Sequence, residues 1–416
     1  MRFFVAGWEV SGYVKLLRNL LMIILTYLFI FNPPFAFMPV SVLKILYVLV
    51  LPFLFIKSFR RSFYRSFQKP ILCMLLLIFY SFFIKFIFSS KANFATANLF
   101  ILVESFFMAY VLARFYVRFY KEKAELWLLG VLLIAALISF YLILHPDFNL
   151  YVRETLLITS DLDNTKDLLF RSFGIADSLI FTYPVVLGLG VCIALKQAEL
   201  NKWFYLVAFL FLIVIFFNAR LGIVPIVLFY LYQIVKKRRF LKIVGQLSLL
   251  VVLFMVIASS DLAKEYEQTI AWVTDGFTEI SNLLLGEENE KTGNTDVLKT
   301  MFFFPDDIVG WLLGTGKDVF LASRNSDIGY ILQLHYGGIP YVLLCFLVPF
   351  SFYRLASKRN HSNPWFNFVF IGTFIGCSIK GYIFFTNPAT RIFFLLLFVY
   401  VLLDRQQRVV KSTCAR

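Results

Sequence analysis

Metal-ligand spacing is missing from this sequence. Its five cysteines, Cys73, Cys192, Cys345, Cys377 and Cys414, fall singly in apolar runs or in the C-terminal tail, so neither a disulfide framework nor a cysteine zinc site is expected. No His-Glu-x-x-His pair occurs and no Gly-rich loop ends in Lys-Ser/Thr, which leaves zinc hydrolysis and nucleotide hydrolysis without support. Charge is scarce as well: Asp, Glu, Lys and Arg make up 16% of the 416 residues, against roughly 25% in a soluble domain. No segment repeats at a period of about 20–50 residues, and the two halves show no similarity of the transporter type. Residues 1–15 lack the apolar core and small-residue cleavage site of a secretory signal, so the first apolar run is expected to stay as a membrane helix.

What fills the space is apolar. Hydrophobic residues reach 60%, with 52 Phe and 21 Tyr, and the mean hydropathy is +0.79; a water-soluble fold does not tolerate that composition. The expected fold class is an all-α polytopic membrane protein. The net charge of +15 raises nucleic acid as a partner, but the basic residues stand in short clusters between apolar runs. That is the positive-inside pattern, so the charge reads as topology and no nucleic acid is expected.

With about 20 residues needed per span, the hydropathy predicts about 12 transmembrane helices, near 18–37, 40–56, 71–88, 97–113, 126–144, 178–195, 203–218, 221–235, 243–259, 327–350, 365–384 and 391–403. An even number puts both termini on one side. Alternate connections collect most of the Lys and Arg, including Lys57 to Lys69, Arg114 to Lys123 and Lys236 to Lys242, and those faces are expected to be cytoplasmic. The organisation is then nine helices over 1–259 with a smaller outer loop at 145–177, one large extracytoplasmic loop at 260–326, helices ten to twelve over 327–403, and a cytoplasmic tail at 404–416. Inside the large loop, Leu262, Tyr266, Ile270, Val273, Phe277, Ile280 and Leu284 recur at helical spacing. Such a stripe either packs on the membrane domain or lies at the interface as a lid over a lipid-linked substrate.

Polar groups at the outer boundary are the candidates for chemistry. Arg220 lies between two apolar runs in Asn218-Ala-Arg220-Leu-Gly222, where a charge costs roughly 2.5–3.5 kcal/mol on insertion scales unless it finds a partner. It either snorkels to the surface or clamps phosphate oxygens bidentately, and Arg171 carries the same pair of readings. Lys380 and Arg391 flank the last outward turn and either join a basic cluster or anchor helix ends. Asp327 opens a span, where an acid caps a helix, takes a proton from a hydroxyl nucleophile, or pairs with Arg324 or Arg220. His335 follows two turns later, as a buried hydrogen-bonded His or a participant in proton transfer. Gly337 and Gly338 in mid-span point to close helix approach.

At these residues the chain resembles the O-antigen polymerase and ligase superfamily of bacterial envelopes. The likeness rests on four features in order: Arg171-x-x-Gly174 before a span, Arg220-x-Gly222 opening the next outer helix, the Leu-Leu-Gly314-Thr-Gly316 hinge, and Asn325-Ser326-Asp327-x-Gly329-Tyr330 followed by Gly337-Gly338. The ligase branch has a His immediately before that Asn, whereas this chain has Arg324, which favours the polymerase branch. The resemblance implies a membrane glycosyltransferase that polymerises polyprenyl-diphosphate-linked repeat units into O-antigen, capsule or exopolysaccharide at the bacterial cytoplasmic (inner) membrane. It implies Arg171, Arg220 and Arg324 as diphosphate ligands, Asp327 and His335 as catalytic candidates, and no metal or nucleotide cofactor. The implied partners are lipid-linked glycan donor and acceptor, the bilayer, a chain-length regulator and a flippase. The alternatives are a ligase of the same superfamily and a polysaccharide flippase or transporter.

Overall fold

The computed structural model describes residues 12–157, 171–177, 182–238, 240–241, 243–246, 248, 299–320, 325–360, 363–381 and 383–414. Most of the predicted ninth span, most of the large loop with its helical stripe, and Arg324 lie outside the described residues. Among the described residues the chain is helical throughout, with one isolated β-bridge between Phe35 and Leu157.

Among the described residues, four stretches are helical, long and apolar enough to cross a membrane: Gly12–Phe31, Lys57–Ile87, Phe94–Leu144 and Gly329–Arg359. Shorter apolar helices accompany them, among them Thr182–Gln197, Phe204–Asn218 and Pro364–Cys377. The outside of the bundle is apolar. On the helix Lys57–Ile87 (α3), Leu72, Leu75, Leu76, Phe79, Phe82 and Phe86 are exposed at helical spacing, a surface that belongs against hydrocarbon and not water. Most of the predicted runs are found as helices with shifted ends. The first run ends at Phe31, not 37, because Asn32 takes a left-handed φ of 40° and its Oδ1 accepts from Ser41 Oγ and Leu43 N, both at 3.0 Å. The expected tail at 404–416 instead continues the last helix to Cys414.

At the centre stands that last helix, Pro388–Cys414 (α14 in chain order), with every residue from Ile392 to Val401 buried. Phe394 and Phe398 meet Phe67, Phe106 and Phe352 with ring centroids 4.6 to 6.5 Å apart, mostly tilted or edge-on, the geometry aromatic quadrupoles favour.

Two helices break, and in each the freed backbone groups find partners. In α3, Pro70 has no N–H to give the Ser66 carbonyl, the backbone kinks at Phe67, and Arg359 Nη1 donates to Ser66 O at 2.9 Å. In the helix Gly329–Arg359 (α12), Gly337 and Gly338 leave helical geometry, Gly338 at φ 68°, just ahead of Pro340. The Gly314–Gly316 hinge docks there. Thr315 N donates to His335 O at 2.7 Å, Gly316 N to Tyr336 O at 3.0 Å, and Tyr80 Oη to Gly337 O at 2.9 Å. A Cβ on Gly338 would sit 2.6 Å from the Leu312 carbonyl carbon, and one on Gly314 2.5 Å from Gly337 N. The close approach expected of Gly337 and Gly338 is therefore real, and it is made to the hinge.

Candidate functional site

The loop of residues 171–177 is pinned from several sides before it enters the helix Thr182–Gln197 (α8). Arg171 O accepts from Asn149 Nδ2 at 2.9 Å and from Arg153 Nη2, Ser172 O accepts from Ser139 Oγ, and Ile175 O accepts from Tyr27 Oη at 3.2 Å. Asp177 N donates to Phe31 O at 2.8 Å. The Asp177 carboxylate receives Arg391 Nη2 at 2.7 and 2.8 Å and Asn32 Nδ2 at 2.8 Å. Arg391, with its side chain 0% exposed, is thus not a snorkelling helix anchor, one of the two readings its sequence context allowed. It clamps this loop to the central helix.

Arg220 starts a single 3-10 turn, Arg220–Gly222, between Phe204–Asn218 (α9) and Ile223–Lys237 (α10). Ala219 is extended, which lifts the chain out of α9. The turn then presses onto α8, where a Cβ on Gly188 would lie 2.1 Å from Gly222 O. These contacts carry Arg220 to Arg171. Burial first, and the charge of Arg220 second, push the Arg171 guanidinium below its ordinary value. Burial and then the charge of Arg171 do the same to Arg153. Three guanidiniums, Arg153, Arg171 and Arg220, are therefore gathered within electrostatic reach, with Arg153 only 6% exposed. Like charges drawn together at a partly buried site raise one another's energy and favour a multiply charged anion.

No protein-family model and no curated protein matches the chain.

Asp327 lies just before α12 and is half-buried. It does not cap α12: the first residue before that helix is Ile328, whose N–H is taken by Ser326 Oγ at 3.1 Å. Gly329 lets α12 approach the turn after the helix Pro364–Cys377 (α13), since a Cβ there would be 2.6 Å from Gly381 O. That approach sets Asp327 Oδ2 3.6 Å from Lys380 Nζ. Of the pairings considered for Asp327, that with Arg324 lies outside the described residues, and among the described residues its ion-pair partner is Lys380, not Arg220. With the two side chains 34% and 45% exposed, such a bridge contributes about 1 kcal/mol or less, so the carboxylate stays accessible to an incoming hydroxyl.

His335 is buried against the Phe303 ring at a centroid distance of 4.9 Å, with Nε2 3.2 Å from Phe303 O. Its own carbonyl holds Thr315 N and Oγ1. This setting is that of a packed, hydrogen-bonded histidine at the hinge. Sequence reasoning missed Arg153 as a member of the arginine cluster, because it stands beside Glu154 in a loop of mixed charge, where it reads as locally balanced. It also missed Glu104, 8% exposed, in a π-helical segment Ile101–Phe107, within reach of the charges of Arg391, Lys44 and Asp177. A π-helical turn often marks a functional position, and Glu104 stood in an apolar run that the hydropathy had already explained.

Proposed function

We propose that the chain is a membrane glycosyltransferase that polymerises polyprenyl-diphosphate-linked oligosaccharide units on the outer face of a bacterial cytoplasmic membrane. The observation that carries this reading is the convergence of Arg153, Arg171 and Arg220. In the reaction, an acceptor hydroxyl oxygen bonds to the anomeric carbon of the donor as the carbon–oxygen bond to the diphosphate breaks. The diphosphate departs on its carrier lipid. Charge develops on the leaving oxygen, and fixed guanidinium donors lower the barrier where that charge appears. Arg171 and Arg220 carry this role from the sequence, and Arg153 joins them. Asp327 is the candidate acceptor of the hydroxyl proton; in this reading His335 holds the hinge.

The test is synthesis from purified lipid-linked repeat units, read as a ladder of glycan lengths. Arg171→Ala and Arg220→Ala abolish the ladder at matched protein amounts, and Arg→Lys retains part of it because the charge remains while the fork is lost. A normal ladder from Arg220→Ala overturns the clamp.

A second reading draws on a different observation. Glu104 lies about 15 Å along the helix that starts at Phe94, and buried intramembrane charge together with broken helices is what a transporter uses. Loss of the gene separates the readings: single lipid-linked units on the outer face mean polymerase, long chains unattached to their final acceptor mean ligase, and units held on the inner face mean flippase.

A further inference from the structure

At the opposite end of the bundle a cleft of about 1580 Å³ opens between α3, the helix Met108–Tyr120 (α5) and the end of α14. Its floor is apolar, with Phe53, Phe59, Val111, Phe115, Leu402 and Leu403, and its rim carries Arg114, Arg118, Lys121, Lys123 and Arg405 against the single acid Glu122. All five cations are exposed. None of them is in an ion pair among the described residues. Arg114 and Arg118 stand one turn apart on one face of α5, where like charges destabilise a helix, and the Arg114 guanidinium already lies over the Phe59 ring at 5.4 Å. On α14, Arg405 is about 21 Å along the axis from Arg391. The cleft is thus distinct from the arginine cluster, and it sits where the central helix turns from apolar to charged.

We propose that this cleft binds an anionic phospholipid of the bilayer, with the headgroup phosphate among Arg114, Arg118 and Lys123 and the acyl chains along Phe53, Phe59 and Phe115. Three features select this occupant. The net charge of the rim calls for an anion. The volume exceeds the roughly 300–1,000 Å³ of a small-metabolite pocket. The apolar, aromatic floor lies beneath a basic rim, the pairing found in basic pockets between membrane helices that hold acidic headgroups.

The full-length protein, purified in mild detergent, is offered phosphatidylglycerol or phosphatidylcholine with the same acyl chains, and bound lipid is counted by native mass spectrometry. Wild type retains phosphatidylglycerol in preference to phosphatidylcholine. Arg114→Gln/Arg118→Gln/Lys123→Gln weakens that retention about a hundredfold, since each basic residue near an anionic surface contributes roughly fivefold. Arg114→Lys/Arg118→Lys keeps most of it, which shows that the triple variant lost charge and not fold. Lys236→Gln/Arg238→Gln, on the end of α10 and outside the cleft, keeps all of it. Equal retention of the two lipids, an unchanged triple variant, or equal loss in the α10 variant overturns the proposal. So does displacement by millimolar glycerol phosphate, which would assign the site to a free phosphate.

Discussion

Removing one partner of the Asp177–Arg391 pair tests how this fold keeps charge inside a membrane bundle. Arg391 has no exposed side-chain surface, while the Asp177 side chain is 18% exposed. A guanidinium cannot shed its proton, so Asp177→Asn leaves a buried cation without its counter-charge and is expected to cost about 3–5 kcal/mol. Arg391→Met keeps the volume and leaves a carboxylate that still has the Asn32 amide at 2.8 Å and partial access to water. Its expected cost is lower, about 2–3 kcal/mol. Glu104 and Lys44 decide the sign of a further test. Together with Asp177 and Arg391 they form a group of two acids and two bases, so its formal charge is balanced. Arg391→Met leaves a negative excess that Glu104→Gln removes, whereas Asp177→Asn leaves a positive excess that Glu104→Gln enlarges. The second substitution should therefore restore stability in the first background and lower it in the other. Reversible unfolding of the purified protein in detergent measures both. If Glu104→Gln shifts the two backgrounds in the same direction, the four groups do not share one electrostatic balance and the reasoning fails.

Other expectations follow from single contacts. Arg153→Ala should raise the KM for the lipid-linked donor, with Arg153→Lys intermediate, measured by initial rates of chain extension. Asp327→Asn should lose about 10²–10⁴ in rate if its carboxylate takes the proton, while Lys380→Gln should stay within a few-fold because an exposed bridge is weak; full activity of Asp327→Asn removes it from the chemistry. Gly338→Ala, with φ 68° and a Cβ 2.6 Å from the Leu312 backbone, should cost more than the roughly 1–2 kcal/mol of a left-handed residue alone. Gly130→Ala, helical and with nothing within 4 Å, should instead stabilise by about 0.5–1 kcal/mol, and a melting curve ranks the two.

The helices were legible because a bilayer demands long apolar runs, and those runs are the sequence. Their ends were less so. Hydropathy carries no sign of a residue such as Asn32 turning left-handed to receive two hydrogen bonds from the next segment. Arg171 and Arg220 could be singled out since each charge stands beside apolar residues, but their meeting depends on how closely Gly188 and Gly222 bring two helices. The Asp177 partner of Arg391 is 214 positions away, so a local reading offered only anchoring or an unspecified basic cluster. Asp327 was weighed as a cap, but the N-cap position falls on Ile328 and no side chain caps the helix, a distinction that rests on backbone direction.

An apolar flank shows that a charge is costly, not how the cost is met, and the two ways of meeting it predict different mutant behaviour. Arg391 is met by an acid inside the protein, so its loss should appear as lost stability. Arg220 is gathered with Arg171 and Arg153 at the proposed diphosphate site, so its loss should appear as lost anion binding. Arg220→Gln should therefore bind the lipid diphosphate more weakly. Arg391→Met should melt lower. The comparison needs only purified protein and a thermal ramp with and without a soluble diphosphate. Diphosphate should raise the wild-type melting temperature, and the Arg391→Met temperature by a similar increment, yet leave Arg220→Gln nearly unmoved. A diphosphate increment in Arg220→Gln equal to that of the wild type would withdraw Arg220 from the anion site.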